Sequence, residues 1–236
     1  MSNNYFRFKQ FTIYQDRCGM KVGMDGVTLG AWTKMGNAEN ILDIGTGTGL
    51  IALMLAQRTQ ARITGIDIEK ECVLQAVENV AISPWKDRIA ICQTSLQDFA
   101  ASSPIKFDAV VCNPPFFVNS LKPLTDARIK ARHTDTLSRR DLVKCTKQLL
   151  GVGGKLFLIL PIDEEYRLLE AAKTEKLFCT KKTILFPNFQ KAAKRILLQL
   201  EMVQNKCETD RLTVEEARHK YTPEYSKLLK EYYLNL

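Results

Sequence analysis

The run Ile41-Leu-Asp-Ile-Gly-Thr-Gly-Thr-Gly-Leu50 constrains this chain more than any other. An apolar strand ends at an acid, three glycines follow at alternate positions, and a helical pattern begins at once. Glycines at a strand-to-helix turn let the backbone approach a ligand, and the helix N-terminus offers unpaired N–H groups. The phosphate-binding fingerprint G-x-G-x-x-G would place its third glycine where Leu50 stands, whereas the last glycine here comes one residue early, at Gly49. That spacing disfavours a nicotinamide dehydrogenase.

From Ile41 onward, apolar strands alternate with amphipathic segments. The periodicity predicts strands over 41–44, 62–67, 89–93, 107–112 and 155–160, and helices over 49–58, 70–81, 138–150 and 163–173. Strands joined by helices imply right-handed crossovers and a mainly parallel sheet, an α/β class. Runs 181–186 and 195–202 follow each other without a helix, which predicts an antiparallel hairpin closing the sheet edge. Residues 5–14 read as two short strands, and 213–221 and 223–233 as short helices. The chain divides into N-terminal strands and a covering segment (1–40), a Rossmann-like core (41–202) and a helical tail (203–236), all within one domain.

Two further sites sit where strands of such a sheet end. Asp67 closes the strand Arg62–Asp67, about 20 residues past Gly45, where an acid can accept hydrogen bonds from both ribose hydroxyls; it could equally cap the helix that follows. The strand Phe107–Cys112 runs into Asn113-Pro-Pro-Phe116. The prolines hold the chain extended and present the Asn113 amide oxygen and the Pro114 carbonyl rigidly. Two acceptors at that spacing suit the N–H groups of an aromatic amine, whose lone pair would then point at an electrophilic methyl group. Phe116 offers a flat face for stacking a base. Asp98, after the third strand, sits where such a fold reads an adenine, although a surface acid or helix cap fits as well.

Composition narrows the partner. The chain of 236 residues carries 34 Lys+Arg against 26 Asp+Glu, a net +8, which favours an acidic partner and nucleic acid above all. Basic residues gather in 117–135 (Lys122, Arg128, Lys130, Arg132 and His133) and near the hairpin (Lys191, Lys194 and Arg195). Interleaved with Phe186 and Phe189, the second group could bind RNA or be a solvated face. Seven scattered cysteines without a CxxC pair, in a chain lacking a signal peptide, read as reduced thiols of a cytoplasmic protein. No apolar run approaches membrane-spanning length. With only two histidines and no acid or cysteine cluster, neither a metal site nor a Ser-His-Asp triad is expected.

The Asp43-x-Gly45-x-Gly47-x-Gly49 turn resembles the first motif of class I S-adenosylmethionine-dependent methyltransferases, and Asn113-Pro-Pro-Phe116 is similar to the N-P-P-Y/F motif of those acting on exocyclic or amide nitrogen. Further segments widen the likeness: Phe8-Lys-Gln-Phe-Thr-Ile13, Lys21-Val-Gly-Met-Asp-Gly-Val-Thr-Leu-Gly-Ala-Trp32, Ala131-Arg-His-Thr-Asp135 and Tyr221-Thr-Pro-Glu-Tyr-Ser-Lys-Leu-Leu-Lys230. Over nearly its whole length the chain resembles the bacterial tRNA1(Val) (adenine-37 N6)-methyltransferase family, with Met24 where a small polar residue was expected. The resemblance implies N6-methylation of adenine-37 in the anticodon loop of a valine tRNA, with S-adenosylmethionine as cofactor. Cofactor contacts are then expected from Lys21, Asp25, Asp43, Gly45, Gly47, Gly49, Asp67, Asp98 and Asn113, and catalytic contacts from Asn113, Pro114 and Phe116. The rivals are a release-factor glutamine methyltransferase, another rRNA or DNA adenine N6-methyltransferase, and a non-catalytic RNA-binding protein on the same scaffold. A glutamine methyltransferase would carry a helical domain before the glycine motif, and only about forty residues precede Ile41.

Overall fold

The computed structural model describes residues 3–114 and 137–235. Its centre is a nine-stranded sheet built from β3 (Asn40–Ile44), β4 (Arg62–Asp67), β5 (Ile89–Gln93), β6 (Phe107–Cys112), β7 (Leu150–Pro161), β8 (Phe178–Asn188), β9 (Arg195–Glu201), β10 (Glu208–Ala217) and β11 (Lys220–Tyr221), in the order β11-β10-β8-β9-β7-β6-β3-β4-β5. β3 to β7 are mutually parallel, and their central stretches are apolar on both faces because helices cover both sides. On one side pack α1 (Met24–Trp32), α2 (Leu50–Ala56), α3 (Lys70–Ala81) and α7 (Pro223–Leu229), around a core that includes Leu29, Leu53, Phe157 and Tyr225. On the other lie α4 (Leu96–Ser102), α5 (Arg139–Leu149) and α6 (Glu165–Thr174), sealed by Leu142, Leu158, Leu168 and Leu198. A separate two-stranded ribbon, β1 (Tyr5–Arg7) and β2 (Thr12–Tyr14), pairs antiparallel as expected.

The hairpin β8–β9 forms and joins the sheet through β9, antiparallel to β7. It does not close the edge. β10 adds parallel to β8, and β11 folds back antiparallel on β10. The expected helix over 213–221 is therefore strand and turn, which corrects the reading of 203–236 as a helical tail. Leu212 and Val214 are spaced for a strand face, Val214 is buried, and the open edge of β8 supplies hydrogen bonds that a helix there would forgo. Only 223–229 of the tail is α-helical, begun by the Thr222 hydroxyl, which accepts from the Tyr225 N–H.

α1 also departs from the sequence reading, which gave 1–40 only strands and a covering segment. Gly26 and Gly30 weaken its helix propensity, yet both are packing sites: a Cβ on Gly30 would lie 2.8 Å from Met54 Sδ. Tyr225, fully buried, shares a 2.7 Å hydrogen bond with Thr28 and so ties α7 to α1. Burial pushes its phenol well above the ordinary tyrosine value. The Tyr232 hydroxyl donates to the Met54 carbonyl, so the same terminal segment also holds α2.

Candidate active site

The carboxyl ends of β3, β4 and β6 meet at one edge, Ile44 beside Ile66 and Cys112, and everything chemical gathers there. Gly45, Gly47 and Gly49 have φ of 68°, 55° and 81°. Three left-handed residues at alternate positions are why this turn is written in glycine. Gly49 caps α2 directly. An added Cβ on Gly45 would meet nothing within 4 Å, so the turn presents bare backbone to open space.

Two carboxylates hold the turn from below and beside. Asp43 is completely buried, and its Oδ2 accepts from the Thr46 hydroxyl at 2.7 Å and the Ala52 N–H at 3.2 Å. Its Oδ1 is buried without a partner among the described residues. Burial pushes this carboxyl up to about 7, against the pull of the Thr46 and Ala52 bonds, and the nearby Asp67 charge adds to the rise. Asp67 accepts the Gly47 N–H at 2.9 Å through Oδ2 and the Glu69 N–H at 3.0 Å through Oδ1. It therefore braces the glycine turn and shapes the entry to α3, while Glu69 holds the N-cap position without a side-chain bond.

Asn113 and Pro114 follow β6 directly. A Cβ on Gly26 would lie 3.8 Å from Asn113 Nδ2 and 3.1 Å from Leu50 Cδ2, so the first turn of α1 sits against both Asn113 and the start of α2. Lys21 is exposed just ahead of α1. Asp25, in the first turn, pairs with Arg195 at 2.8 Å, which occupies two side chains expected to face different ligands. Asp98 is at N3 of α4: the Ser95 hydroxyl accepts its N–H, capping the helix, and donates to its carboxylate. Cys112 lies buried at this edge, and burial, reinforced by Asp43 and Asp67, raises its thiol well above the ordinary value. Phe116, Lys122, Arg128, Lys130, Arg132 and His133 lie outside the described residues.

Sequence reasoning missed the clamp over the turn. Asn79 Nδ2 donates to the carbonyls of Tyr14 and Thr48, each at 2.9 Å, while its Oδ1 accepts the Tyr14 N–H at 2.8 Å. Gln75 Oε1 accepts the Arg17 N–H, and Gln15 Oε1 the Val22 N–H. Cys18, expected as a free thiol, is joined to Cys72 of α3 by a disulfide. Cys18 Sγ would lie 3.8 Å from a Cβ on Gly47, so residues 14–22 are fastened directly over the glycine turn. Burial of Gln75 and Asn79 is the one clue, and it appears only after folding.

An open glycine turn, an acid bracing it at the end of the next strand, and a buried acid with a spare oxygen beneath fit S-adenosylmethionine. Residues 29–184 match the family model described as methyltransferase small domain. The solved structure of a predicted O-methyltransferase from Agrobacterium tumefaciens is similar in fold, with TM-score 0.68 and 18% identity over 90% of this chain and 100% of that one. Fold and site together define a class I methyltransferase that uses S-adenosylmethionine. Its relatives are more specific. The chain is 48% identical to the tRNA1(Val) (adenine(37)-N6)-methyltransferase of Phocaeicola vulgatus over 100% of both chains, and 46% identical to that of Trichodesmium erythraeum over 99% of both. The chain belongs to the tRNA1(Val) (adenine(37)-N6)-methyltransferase family.

Proposed function

We propose that the protein methylates N6 of adenine-37, in the anticodon loop of a valine-accepting tRNA, in the cytoplasm. The observation that carries this reading is the position of Asn113 and Pro114 at the end of β6, one strand from the glycine turn and against Gly26. Full-length relatives of that activity support the choice of substrate. Among the described residues no helix is long and apolar enough to cross a membrane, and no group of three or more His, Cys, Asp or Glu could hold a metal ion.

When bound, S-adenosylmethionine supplies a methyl group on a sulfonium. The rest falls to this chain. Asp67 would accept the ribose hydroxyls, the open edge at Gly45 would let the cofactor lie against the turn that Gly47 and Gly49 complete, and Asp43 fixes that turn from below. Lys21 would lie over it beside Asp25, which the Arg195 guanidinium holds in place, and Asp98 would serve the adenine end from the first turn of α4. Asn113 and Pro114 accept the two N–H bonds of the target amine, which turns its lone pair toward the methyl; holding reactants in line supplies most of the acceleration. Phe116 stacks on the base, which costs less to turn out from a loop than from a duplex. No general base is needed beforehand, since the amine loses its proton readily once methylated. Lys191, Lys194 and Arg195, with Lys122, Arg128, Lys130, Arg132 and His133, attract the phosphates.

The test is transfer of tritiated methyl from S-adenosylmethionine to tRNA lacking the modification, with nucleoside analysis of the product. N6-methyladenosine at position 37 is expected. Label on protein glutamine, or on another nucleoside, would overturn the reading.

A further inference from the structure

β10 and β11 lie beyond the strands that carry the site, and beyond residue 184, where the matched family model ends. The sheet register nonetheless brings them to the active edge. Pro161 of β7 stands opposite Arg195 of β9, Leu185 of β8 opposite Arg195, and Asn188 opposite Glu215 of β10. Two connections therefore project side by side at the edge that holds Asn113: residues 189–194 between β8 and β9, and Arg218-His219 between β10 and β11.

Both connections look built for a contact that the fold itself does not make. Phe189 is 72% exposed, a large ring left in water. The backbone that carries it is held, because Asn188 Oδ1 accepts the N–H groups of Gln190 at 3.1 Å and Lys191 at 3.0 Å, the two residues that follow it. His219 has φ 62°, the left-handed conformation that lets the chain reverse within two residues and so sets both side chains of the turn at the edge. Arg218 Nε donates to His219 Nε2 at 3.2 Å, a contact within the same exposed turn. Lys220 is offset by Glu216 at 2.6 Å and adds little.

An exposed ring beside cations is how proteins take hold of RNA, by stacking on a base and pairing with phosphate. Three to four strand spacings separate β6 from β8 and β10, roughly 14–19 Å. The target adenine cannot span that distance, but the RNA around it can. We infer that Phe189 and Arg218 form an accessory tRNA contact outside the catalytic site, Phe189 stacking on a base and Arg218 holding a phosphate. The inference rests on the tRNA reading above.

Steady-state methylation of purified tRNA tests it. Phe189→Ala and Arg218→Glu should each raise KM for tRNA about tenfold, the order that one stacked base or one charged contact supplies. Turnover at saturating tRNA, cofactor affinity and Tm should stay at wild-type values. Phe189→Trp keeps the stacking face and should restore the wild-type KM. An unchanged KM in Phe189→Ala and Arg218→Glu, with a wild-type protein that methylates tRNA, would overturn this contact alone. A raised KM in Phe189→Trp as well would overturn stacking. A wild-type protein that transfers nothing to tRNA would sink both this contact and the reading beneath it.

Discussion

Asp25 Oδ2 lies 2.8 Å from Arg195 Nε, joining the first turn of α1 to the first residue of β9 across 170 positions of chain. Both side chains are more than two-thirds covered, so removing either leaves a charge poorly hydrated. Arg195→Gln or Asp25→Asn alone should each cost about 1–2 kcal/mol of stability, and the double variant less than their sum. Urea denaturation of the four proteins gives the coupling directly; strict additivity would mean that the pair contributes nothing. Because Asp25 offsets Arg195, charge reversal at Lys191 and Lys194 should weaken tRNA binding more than reversal at Arg195 does, and the weakening should grow shallower at high salt.

Cofactor binding and methyl transfer should separate cleanly. Asp67→Ala removes the brace on the Gly47 N–H and the acceptor proposed for the ribose, and should weaken cofactor affinity at least tenfold by calorimetry. Asn113→Ala leaves the glycine turn intact. It should nearly abolish single-turnover transfer at saturating tRNA while cofactor affinity stays close to wild type. Near wild-type transfer in Asn113→Ala would leave the Asn-Pro-Pro run as a stiff strand exit only.

Asp43 makes stability depend on pH with an unusual sign. Its folded-state carboxyl is raised from 3.8 to about 7, so the folded protein binds this proton more tightly than the unfolded chain does. The stability it contributes is complete below about pH 4 and is lost as pH rises through about 7. Asp43→Asn cannot titrate, so its stability relative to wild type should climb by roughly 2 kcal/mol between pH 5 and pH 8. Denaturant titrations of both proteins at those two pH values measure the difference, and a pH-independent gap would show that Asp43 in the folded protein does not titrate between them.

The link between Cys18 and Cys72 is open to direct counting. Seven cysteines with one disulfide leave five thiols reactive when the unreduced protein is denatured. The bridge closes a loop across a separation of 54 residues, so Cys72→Ser should cost about 4 kcal/mol by loop-closure entropy, less any strain released. Seven reactive thiols before reduction would show that the two cysteines are merely neighbours.

What could be read beforehand follows the range of the interaction involved. The glycine turn was legible because three left-handed residues at alternate positions admit almost no other side chain, and Asn113 because prolines restrict their neighbours whatever the context. Strands β4, β5 and β6 fell where periodicity placed them, since each is a short apolar run bounded by polar residues. The stretch from Thr213 did not, because its Glu-Glu-Ala favours a helix until the edge of β8 is available to pair with. Gln75 and Asn79 carry no local signal, because their partners lie 58 and 65 positions upstream. The same distance hid the match between Cys18 and Cys72, which no local spacing announces.

Asn79 grips Tyr14 through both atoms of its amide while its second N–H reaches the carbonyl of Thr48. The Tyr14 amide can trade its hydrogen for deuterium only when that grip opens, and opening it strips a partner from the glycine turn. A ligand that steadies the turn must therefore slow exchange at an amide it never touches. Deuterium uptake in β2 becomes a gauge of occupancy that needs neither a label nor turnover.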